Sequence, residues 1–394
     1  QEIFDMMRFW FDKGIDGFRM DSISLIAKDP SFPLIDSKKY PDIFSFYAKE
    51  PRLHLYLHEM NRQVLSKYDC MSVGEGSAVM VDDVAKFVDP AREELNMLYH
   101  FDAARIRNTT LPDNPESGID YSLIALKKMF TEWDKAVDKG WPSIYLGNHD
   151  QPRMVSRFGS DKDEFRALSA KMLITFLLTM RGTPYWFAGD EIGMRNIRFD
   201  RIEDYNDIDT INRYKKAKAE GKDPQAVLDE QKETGRDNAR TPFQWDRSPE
   251  AGFTAGTPWL KVNPDYTWIN VADEEKDPTS ILNYFKKVVS FRKENPSLIY
   301  GSYHLLDAEN PQSYTFLRKT GADTYLIMLN FSPKAAISTP GIDMSNAHVL
   351  LDNYGDRSHM APQKDITLRP FEAIVFQLNH PVYESFIDSL DLLE

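Results

Sequence analysis

The stretch that decides the fold is Gly17-Phe18-Arg19-Met20-Asp21, in which a short apolar run ends on charged side chains. Before it, residues 1–13 place apolar side chains at the spacing of one helix face. After it, residues 54–68 predict another helix and residues 71–74 another strand. Strands that alternate with helices in this way predict a parallel sheet with βαβ connections.

The alternation continues along the first two thirds of the chain. Further strands are predicted at residues 95–101, 143–146 and 184–187. Further helices are predicted at residues 81–88, 121–137, 163–179 and 281–294. Residues 190–275 are charged and rich in turn residues, which indicates a long functional insertion.

The pattern changes near residue 298 to strands separated by Gly, Pro, Asn and Asp. These strands are predicted at residues 314–318, 324–330, 348–351 and 373–378. We therefore predict a catalytic α/β domain over residues 1–297 and a small antiparallel β-domain over residues 298–380. Residues 381–394 form an acidic and apolar tail.

The composition excludes several classes of partner and site. The 394 residues carry a formal net charge of −13, which argues against binding to nucleic acid or to an anionic membrane. The most apolar segment, residues 172–180, is too short to span a bilayer. Cys70 is the only cysteine, so neither an internal disulfide nor a cysteine zinc site is expected. The scarcity of cysteine favours a cytoplasmic location.

Carboxylates follow the ends of three predicted strands. They are Asp21, Glu75 in Val73-Gly74-Glu75-Gly76, and Asp150 in Gly147-Asn148-His149-Asp150. In a parallel barrel, the carboxyl ends of the strands meet at one face, so these three side chains are expected to converge. Retaining glycoside hydrolysis requires a carboxylate nucleophile and a carboxylic acid about 5–5.5 Å apart. A single aspartate at a strand end is more often a helix cap or a turn residue, so spacing alone leaves a hydrolase as one option among several.

The motifs taken together resemble glycoside hydrolase family 13, the α-amylase superfamily. Its second, third and fourth sequence regions are similar to Gly17-Phe18-Arg19-Met20-Asp21, Gly74-Glu75 and Asn148-His149-Asp150-Gln151-Pro152-Arg153. The loop of its oligo-1,6-glucosidase and α-glucosidase branch resembles Arg236-Asp237-Asn238-Ala239-Arg240-Thr241-Pro242-Phe243-Gln244-Trp245-Asp246. Its eighth strand resembles Gly182-Thr183-Pro184-Tyr185 with Gly189-Asp190-Glu191-Ile192-Gly193-Met194.

The resemblance implies a role for each site residue. Asp21 would be the nucleophile, Glu75 the general acid and base, and Asp150 the third carboxylate, which stabilises the transition state. The substrate-binding residues would be Arg19 beside the nucleophile, His149 on the sugar hydroxyls, Arg236 on the terminal glucose, and Ser22. Members that cleave 1,6-linkages usually have Val at the position of Ser22, and those that cleave 1,4-linkages have Ala or Thr, so the linkage preference stays open.

The resemblance also implies the fold and what the chain lacks. The fold would be a (β/α)8 TIM barrel, present from about the third helix onward, followed by an antiparallel β-sandwich. We expect an N-terminally truncated fragment that is inactive alone, because the first sequence region has no counterpart in the chain. No cofactor or metal is expected, and any calcium loop would lie in the N-terminal part. The enzyme would be a monomer that acts on small oligosaccharides.

Four functions are compatible with these motifs. The first is a retaining, exo-acting α-glucosidase for isomalto- or malto-oligosaccharides. The second is a sucrose isomerase or transglucosidase, whose charged loop after the fourth region does not match residues 154–163 well. The third is a trehalose-6-phosphate hydrolase, for which no basic phosphate pocket is evident. The fourth is a non-catalytic partner of amino-acid transporters, but such relatives lose the catalytic carboxylates, which this chain keeps.

Overall fold

The protein is described by a computed structural model that covers residues 1–31, 33–36, 38–40, 43–321, 323–360 and 363–378. The predicted tail, 381–394, lies outside the described residues. The chain forms two compact units. The first consists of Gln1–Arg105 and Lys128–Ile144, and the second of Ile106–Lys127 and the chain from Tyr145 onward. The domain boundary near residue 298 stays a prediction.

The α-helices of the described residues are numbered in chain order. They are α1 (Glu2–Asp12), α2 (Ile43–Tyr47), α3 (Arg52–Gln63), α4 (Ala85–Val88), α5 (Asp102–Thr109), α6 (Leu123–Ala136), α7 (Met154–Phe158), α8 (Arg166–Thr179), α9 (Ile208–Ala219), α10 (Pro224–Thr234), α11 (Val271–Glu274), α12 (Ile281–Glu294) and α13 (Ser297–Tyr300). Within the described part of the chain, no helix combines the length and the apolar character needed to cross a bilayer.

The β-strands are numbered in the same way. They are β1 (Gly17–Met20), β2 (Met71–Glu75), β3 (Met97–Tyr99), β4 (Ser143–Ile144), β5 (Thr183–Pro184), β6 (Ser302–Leu306), β7 (Ser313–Thr320), β8 (Asp323–Asn330), β9 (Ala336–Ser338), β10 (Ala347–Asp352), β11 (Ile366–Leu368) and β12 (Ala373–Leu378). Most strands of the first two thirds are shorter than predicted, and the fifth begins one residue earlier than expected.

The first unit contains a parallel sheet in the order β1-β2-β3. Gly17 pairs with Met71 and Met20 pairs with Gly74, so β1 and β2 end side by side. The residue that follows β1 is Asp21, and the last residue of β2 is Glu75. Because parallel strands bring their carboxyl ends to one edge, the sheet places two of the predicted catalytic carboxylates next to each other.

Gly74 lies where the chain has no room for a side chain. A Cβ atom at this position would lie 2.6 Å from Cγ2 of Ile23 and 2.7 Å from Cδ1 of Leu95. Such distances are shorter than van der Waals contact, so a larger residue would push these neighbours apart. The glycine therefore lets apolar side chains pack directly beneath the carboxyl end of β2.

The second unit contains an antiparallel sheet in the order β10-β12-β8-β7-β6, and a two-stranded sheet of β11 and β9. Both sheets contribute to one apolar core, which includes Leu317, Leu326, Ile366, Leu368 and Phe376. The strands predicted at residues 314–318, 324–330, 348–351 and 373–378 correspond to β7, β8, β10 and β12. The short strands β6, β9 and β11 were not predicted.

The segment 190–275, predicted as a turn-rich insertion, contains two regular helices. Asp207 begins α9 by accepting a hydrogen bond from the amide of Thr210. Asp223 begins α10 by accepting one from the amide of Gln225, and Pro224 occupies the first helical position. Both are standard helix starts, because the first turn of a helix has free amides and tolerates proline. The insertion therefore contains regular secondary structure, and α10 ends two residues before Arg236.

Candidate active site

The side chain of Arg19 joins the carboxyl ends of β1 and β2. Its Nη1 atom donates a hydrogen bond to Oδ1 of Asp21, and its Nη2 atom donates one to Oε2 of Glu75 at 2.7 Å. The two carboxylates therefore share one planar guanidinium, whose two nitrogens are only a few ångströms apart. Burial opposes the charge on Arg19, but its bonds to these carboxylates raise its pKa above the usual value. The guanidinium of Arg19 therefore carries its positive charge at neutral pH.

The two carboxylates differ in their exposure to solvent. The side chain of Asp21 is 78% exposed, whereas that of Glu75 is 12% exposed. Glu75 is held by two further donors, because its Oε2 atom accepts the amide of Ser22 at 3.2 Å and its Oε1 atom accepts the hydroxyl of Ser77 at 3.3 Å. An accessible carboxylate thus lies beside one that is largely desolvated and fixed. Retaining glycosidases use such a pair for two different roles.

Ser22 occupies a strained position between β1 and the next turn. Its backbone is left-handed, with φ of 44° and ψ of 35°. This conformation is uncommon for residues other than glycine, and it is found where the surrounding structure requires it. In this protein it turns the amide of Ser22 toward Glu75. Ser22 therefore contacts a predicted catalytic residue through its backbone, which the sequence did not indicate.

A second cluster surrounds Asp150 in the other unit. Oδ1 of Asp150 accepts a hydrogen bond from Nη2 of Arg240 at 2.7 Å and a longer one from Nη1 of Arg236 at 3.4 Å. Oδ2 lies 3.3 Å from Nε2 of His149. Asp150 is about one third exposed, since its side chain retains 33% of its accessible surface. One oxygen of Asp150 is thus occupied by two cations, while the other lies beside a partly exposed imidazole.

Asp207 fixes the other end of Arg236. Its Oδ1 atom accepts a hydrogen bond from Nη2 of Arg236, and its Oδ2 atom accepts the amide and the hydroxyl of Thr210. Burial would raise the pKa of Asp207, but the bonds from Thr210 and Arg236 bring it below the usual value. Arg236 is therefore held between two carboxylates, Asp150 and Asp207.

Asp237 fixes the backbone that carries Asp207. It is 1% exposed, and its Oδ2 atom accepts the amides of Asn206 and Asp207 at 2.7 and 2.8 Å. A buried carboxylate that accepts two amides fixes the backbone to which those amides belong. Asp237 thereby fixes the start of α9 and the position of Asp207, whose carboxylate binds Arg236.

The structure brings the predicted site residues together in two groups. Arg19, Asp21, Ser22 and Glu75 form the first, and His149, Asp150 and Arg236 form the second. Two residues that contact the second group, Asp207 and Arg240, were not singled out from the sequence. Arg240 stands in the quoted loop motif four residues after Arg236, and Asp207 precedes a helix as a cap. The motif and the cap position are visible in the sequence, but neither indicates which residue Arg240 or Asp207 contacts.

Among the described residues, no group of three or more His, Cys, Asp or Glu side chains is arranged to hold a metal ion. The expectation that no cofactor or metal is required stays a prediction, as does the placement of any calcium loop.

Comparisons with known proteins agree with these observations. The family described as "Alpha amylase, catalytic domain" matches residues 1–301. An oligo-1,6-glucosidase of Parageobacillus thermoglucosidasius is 46% identical, over 97% of this chain and 68% of that protein. A trehalose-6-phosphate hydrolase of Bacillus subtilis is 37% identical, over 97% of this chain and 67% of its own length. The chain thus spans about two thirds of the length of these relatives.

The structural comparison gives the same result for the fold. The crystal structure of the isomaltulose synthase of Protaminobacter rubrum matches with a TM-score of 0.90 at 35% identity. The match covers 96% of this chain and 68% of that one. The predicted fold class, a partial (β/α)8 barrel followed by an antiparallel β-domain, is confirmed.

Proposed function

The chain belongs to the α-amylase family of glycoside hydrolases, and from this premise we propose that it is a retaining, exo-acting α-glucosidase. Its substrates are short isomalto- and malto-oligosaccharides, from which it removes the terminal glucose. The observation that carries the proposal is the guanidinium shared by Asp21 and Glu75. Two carboxylates so close together support a double displacement, because the inverting mechanism needs a wider gap for water.

The first step uses both carboxylates at once. Asp21 attacks the anomeric carbon and forms a glycosyl ester, while the glycosidic C–O bond breaks. The departing oxygen takes the proton of Glu75. In the second step Glu75 takes a proton from water, the water oxygen bonds to the anomeric carbon, and the ester bond to Asp21 breaks. Two inversions give a product with the configuration of the substrate.

The remaining site residues have supporting roles. Asp150 accepts hydrogen bonds from the hydroxyls of the bound glucose and stabilises the distorted ring, and His149 binds a neighbouring hydroxyl. Arg236 binds the glucose at the non-reducing end, which makes the enzyme exo-acting. The supporting observation is that Arg236 and His149 both lie within hydrogen-bonding distance of Asp150. Ser22 contributes to the choice of linkage through its side chain.

Two further properties complete the proposal. The enzyme acts as a monomer and is located in the cytoplasm; the single cysteine agrees with this location. It needs no cofactor, because both steps are carried out by carboxylates and water.

The test is a pair of isosteric substitutions, Asp21→Asn and Glu75→Gln, made in the full-length protein and assayed on isomaltose and maltose. Each should lower kcat by many orders of magnitude, because a neutral amide neither forms the ester nor donates the proton. Asp69→Asn, an exposed aspartate near the start of β2, is the matched control and should leave kcat unchanged. The anomeric form of the first glucose released should be α. A modest loss in Asp21→Asn, or release of β-glucose, would contradict the mechanism.

A sucrose isomerase is the second candidate, favoured by the structural match to isomaltulose synthase. Against it stands the segment after Asp150, where a charged loop would be expected. In this chain Arg157 belongs to the helix α7, is buried, and donates a hydrogen bond to Gln151. The products formed from sucrose decide between the two, because a hydrolase releases glucose and fructose while an isomerase releases mainly an isomeric disaccharide. Turnover of trehalose 6-phosphate tests the third function in the same way.

A further inference from the structure

The guanidinium of Arg240 holds two consecutive residues at once. Its Nε atom donates a hydrogen bond to the backbone oxygen of His149 at 2.8 Å, and its Nη2 atom donates one to Oδ1 of Asp150 at 2.7 Å. Two parallel donors of one planar group thereby bind a main-chain and a side-chain oxygen. Such forked contacts fix geometry as well as charge, and no other type of side chain has two donors in this fixed arrangement.

We propose that Arg240 is a positioning residue, which keeps the carboxylate of Asp150 turned so that Oδ2 is presented to the sugar. The role rests on the function proposed above. Arg240 touches neither the reacting carbon nor the departing oxygen and acts only through Asp150. Without the fork, the carboxylate of Asp150 keeps only its longer contact with Arg236 and its contact with His149, so it departs from the orientation that the distorted sugar requires.

Arg236 does not take over this role. Its contact with Asp150 is longer, at 3.4 Å, and its other nitrogen is bound by Asp207. The hydrogen bond to the backbone of the dipeptide that carries Asp150 comes from Arg240. The closer and forked partner of Asp150 is therefore Arg240, although both arginines bind the same carboxylate oxygen.

The backbone of Arg240 is held by a contact with Trp259. Its backbone oxygen accepts a hydrogen bond from Nε1 of Trp259 at 2.8 Å, and the Trp259 ring packs edge-to-face on Phe253 with 5.1 Å between the ring centres. Phe253 follows a turn in which Glu250 and Ala251 both have left-handed backbones, with φ of 53° and 56°. Non-glycine residues in this region are strained, and such strain persists where the neighbouring structure holds it.

A role of the ion pair between Arg240 and Asp150 in stability alone explains these contacts less well than a role in catalysis. The side chains of Arg240 and Asp150 keep 31% and 33% of their accessible surface. Ion pairs between such partly solvated groups contribute little to stability, because solvent screens them and ordering the side chains opposes them. Loss of Arg240 should therefore leave the protein folded while it reduces turnover.

The test is a double-mutant cycle between Arg240→Met and Asp150→Asn in the full-length protein, with kcat and KM measured on an aryl glucoside. Arg240→Met should lower kcat about 100-fold, the order expected when a catalytic group is displaced by about 1 Å. Arg240→Lys keeps the charge but not the fork, and should recover only part of this loss. In the Asp150→Asn background, Arg240→Met should change kcat less than about threefold, because the residue through which it acts is already altered.

Arg247→Met is the matched control, because Arg247 lies on the same segment and pairs with Asp273 at 2.6 Å, away from Asp150. It should keep full activity, and the melting temperatures of Arg240→Met and Arg247→Met should agree. Equal losses of kcat from Arg240→Met in both backgrounds, or a loss that tracks a lowered melting temperature, would refute the positioning role. The function proposed above fails separately, if Asp150→Asn by itself leaves turnover intact.

Discussion

The carboxylates of Asp21 and Glu75 are bridged by a single guanidinium, that of Arg19. Because the two nitrogens used belong to one rigid plane, neither carboxylate can move away without breaking a charged hydrogen bond. The arrangement is set by the parallel register of β1 and β2, in which Met20 lies opposite Gly74. Backbone pairing thus brings the two carboxylates together, and the turn residues Ser22 and Ser77 beyond the strands hold Glu75 in place.

Arg19→Met should therefore lower kcat on isomaltose by about 100-fold or more and change KM much less. The bridge orients both carboxylates and stabilises negative charge on Asp21 as it leaves the ester, and these effects belong to the transition state. Steady-state kinetics on purified protein are the measurement. Arg8→Met, which removes the exposed ion pair of Arg8 with Asp5, is the control and should behave as the wild type. A rise in KM at unchanged kcat would show that Arg19 only binds substrate.

Two substitutions at Asp207 separate its two contacts. Asp207→Asn keeps an oxygen to cap α9, while Asp207→Ala loses the cap, so the alanine variant should be less stable by about 1 kcal/mol. Both variants lose the ion pair with Arg236, and both should raise KM for isomaltose to a similar extent. Urea unfolding and kinetics on the two proteins give both readouts. If the two variants differ in KM but not in stability, the separation of the two contacts is wrong.

The helices show how far the sequence could predict local structure. The helix α12 has the predicted bounds of residues 281–294, because Ser280 caps its start and its apolar face repeats at helical spacing. The helices α9 and α10 were missed inside a charged segment, although Asp223-Pro224 is a recognisable helix start. The high density of charged residues suggested a loop, whereas the capping residues indicated helices. In this segment the capping residues predict the structure correctly.

The candidate site was predictable only in part, for a related reason. Asp21, Glu75 and Asp150 stand at strand ends inside distinctive motifs, so their chemistry can be inferred from sequence neighbours. The roles of Arg240 and Asp207 depend on contacts with distant residues. Arg240 contacts Asp150, 90 positions away, and Asp207 contacts Arg236, 29 positions away. No local pattern encodes such a contact. The left-handed backbone of Ser22 is likewise a product of the packing around β1 and β2.

Lys127 should be important for the stability of the second unit. Its side chain is fully buried, and Nζ donates hydrogen bonds to the backbone oxygens of Asp307, Asn310 and Ser313. Lys127→Met removes this donor from three carbonyls and should cost about 3 kcal/mol of unfolding free energy. Chemical unfolding followed by fluorescence is the measurement. Lys128→Met, at the exposed next position, is the control, and an equal effect from both would show that the buried contacts are not responsible.

The stability of the β-domain should depend on pH through Glu372. Its side chain is fully buried and binds the guanidinium groups of Arg357 and Arg369. Burial would raise the pKa of Glu372, but these bonds bring it below the usual value. A depressed pKa means that the folded protein holds its proton less tightly than the unfolded chain. The carboxylate therefore stabilises the fold above the ordinary glutamate pKa of about 4.3, and this contribution is lost as the pH falls through the lowered value.

Glu372→Gln should accordingly destabilise the protein by about 3 kcal/mol at pH 7, because it leaves the two guanidinium groups without their buried anion. The difference from the wild type should shrink as the pH falls below the ordinary glutamate pKa of about 4.3, because the unfolded chain then takes up a proton that the folded protein still excludes. Urea unfolding of both proteins from about pH 3.5 to about pH 7 gives the comparison. Glu309→Gln, at an exposed position of the same unit, should show no such trend. A gap between Glu372→Gln and wild type that stays constant across this range would mean that packing of the side chain, and not its charge, stabilises the β-domain.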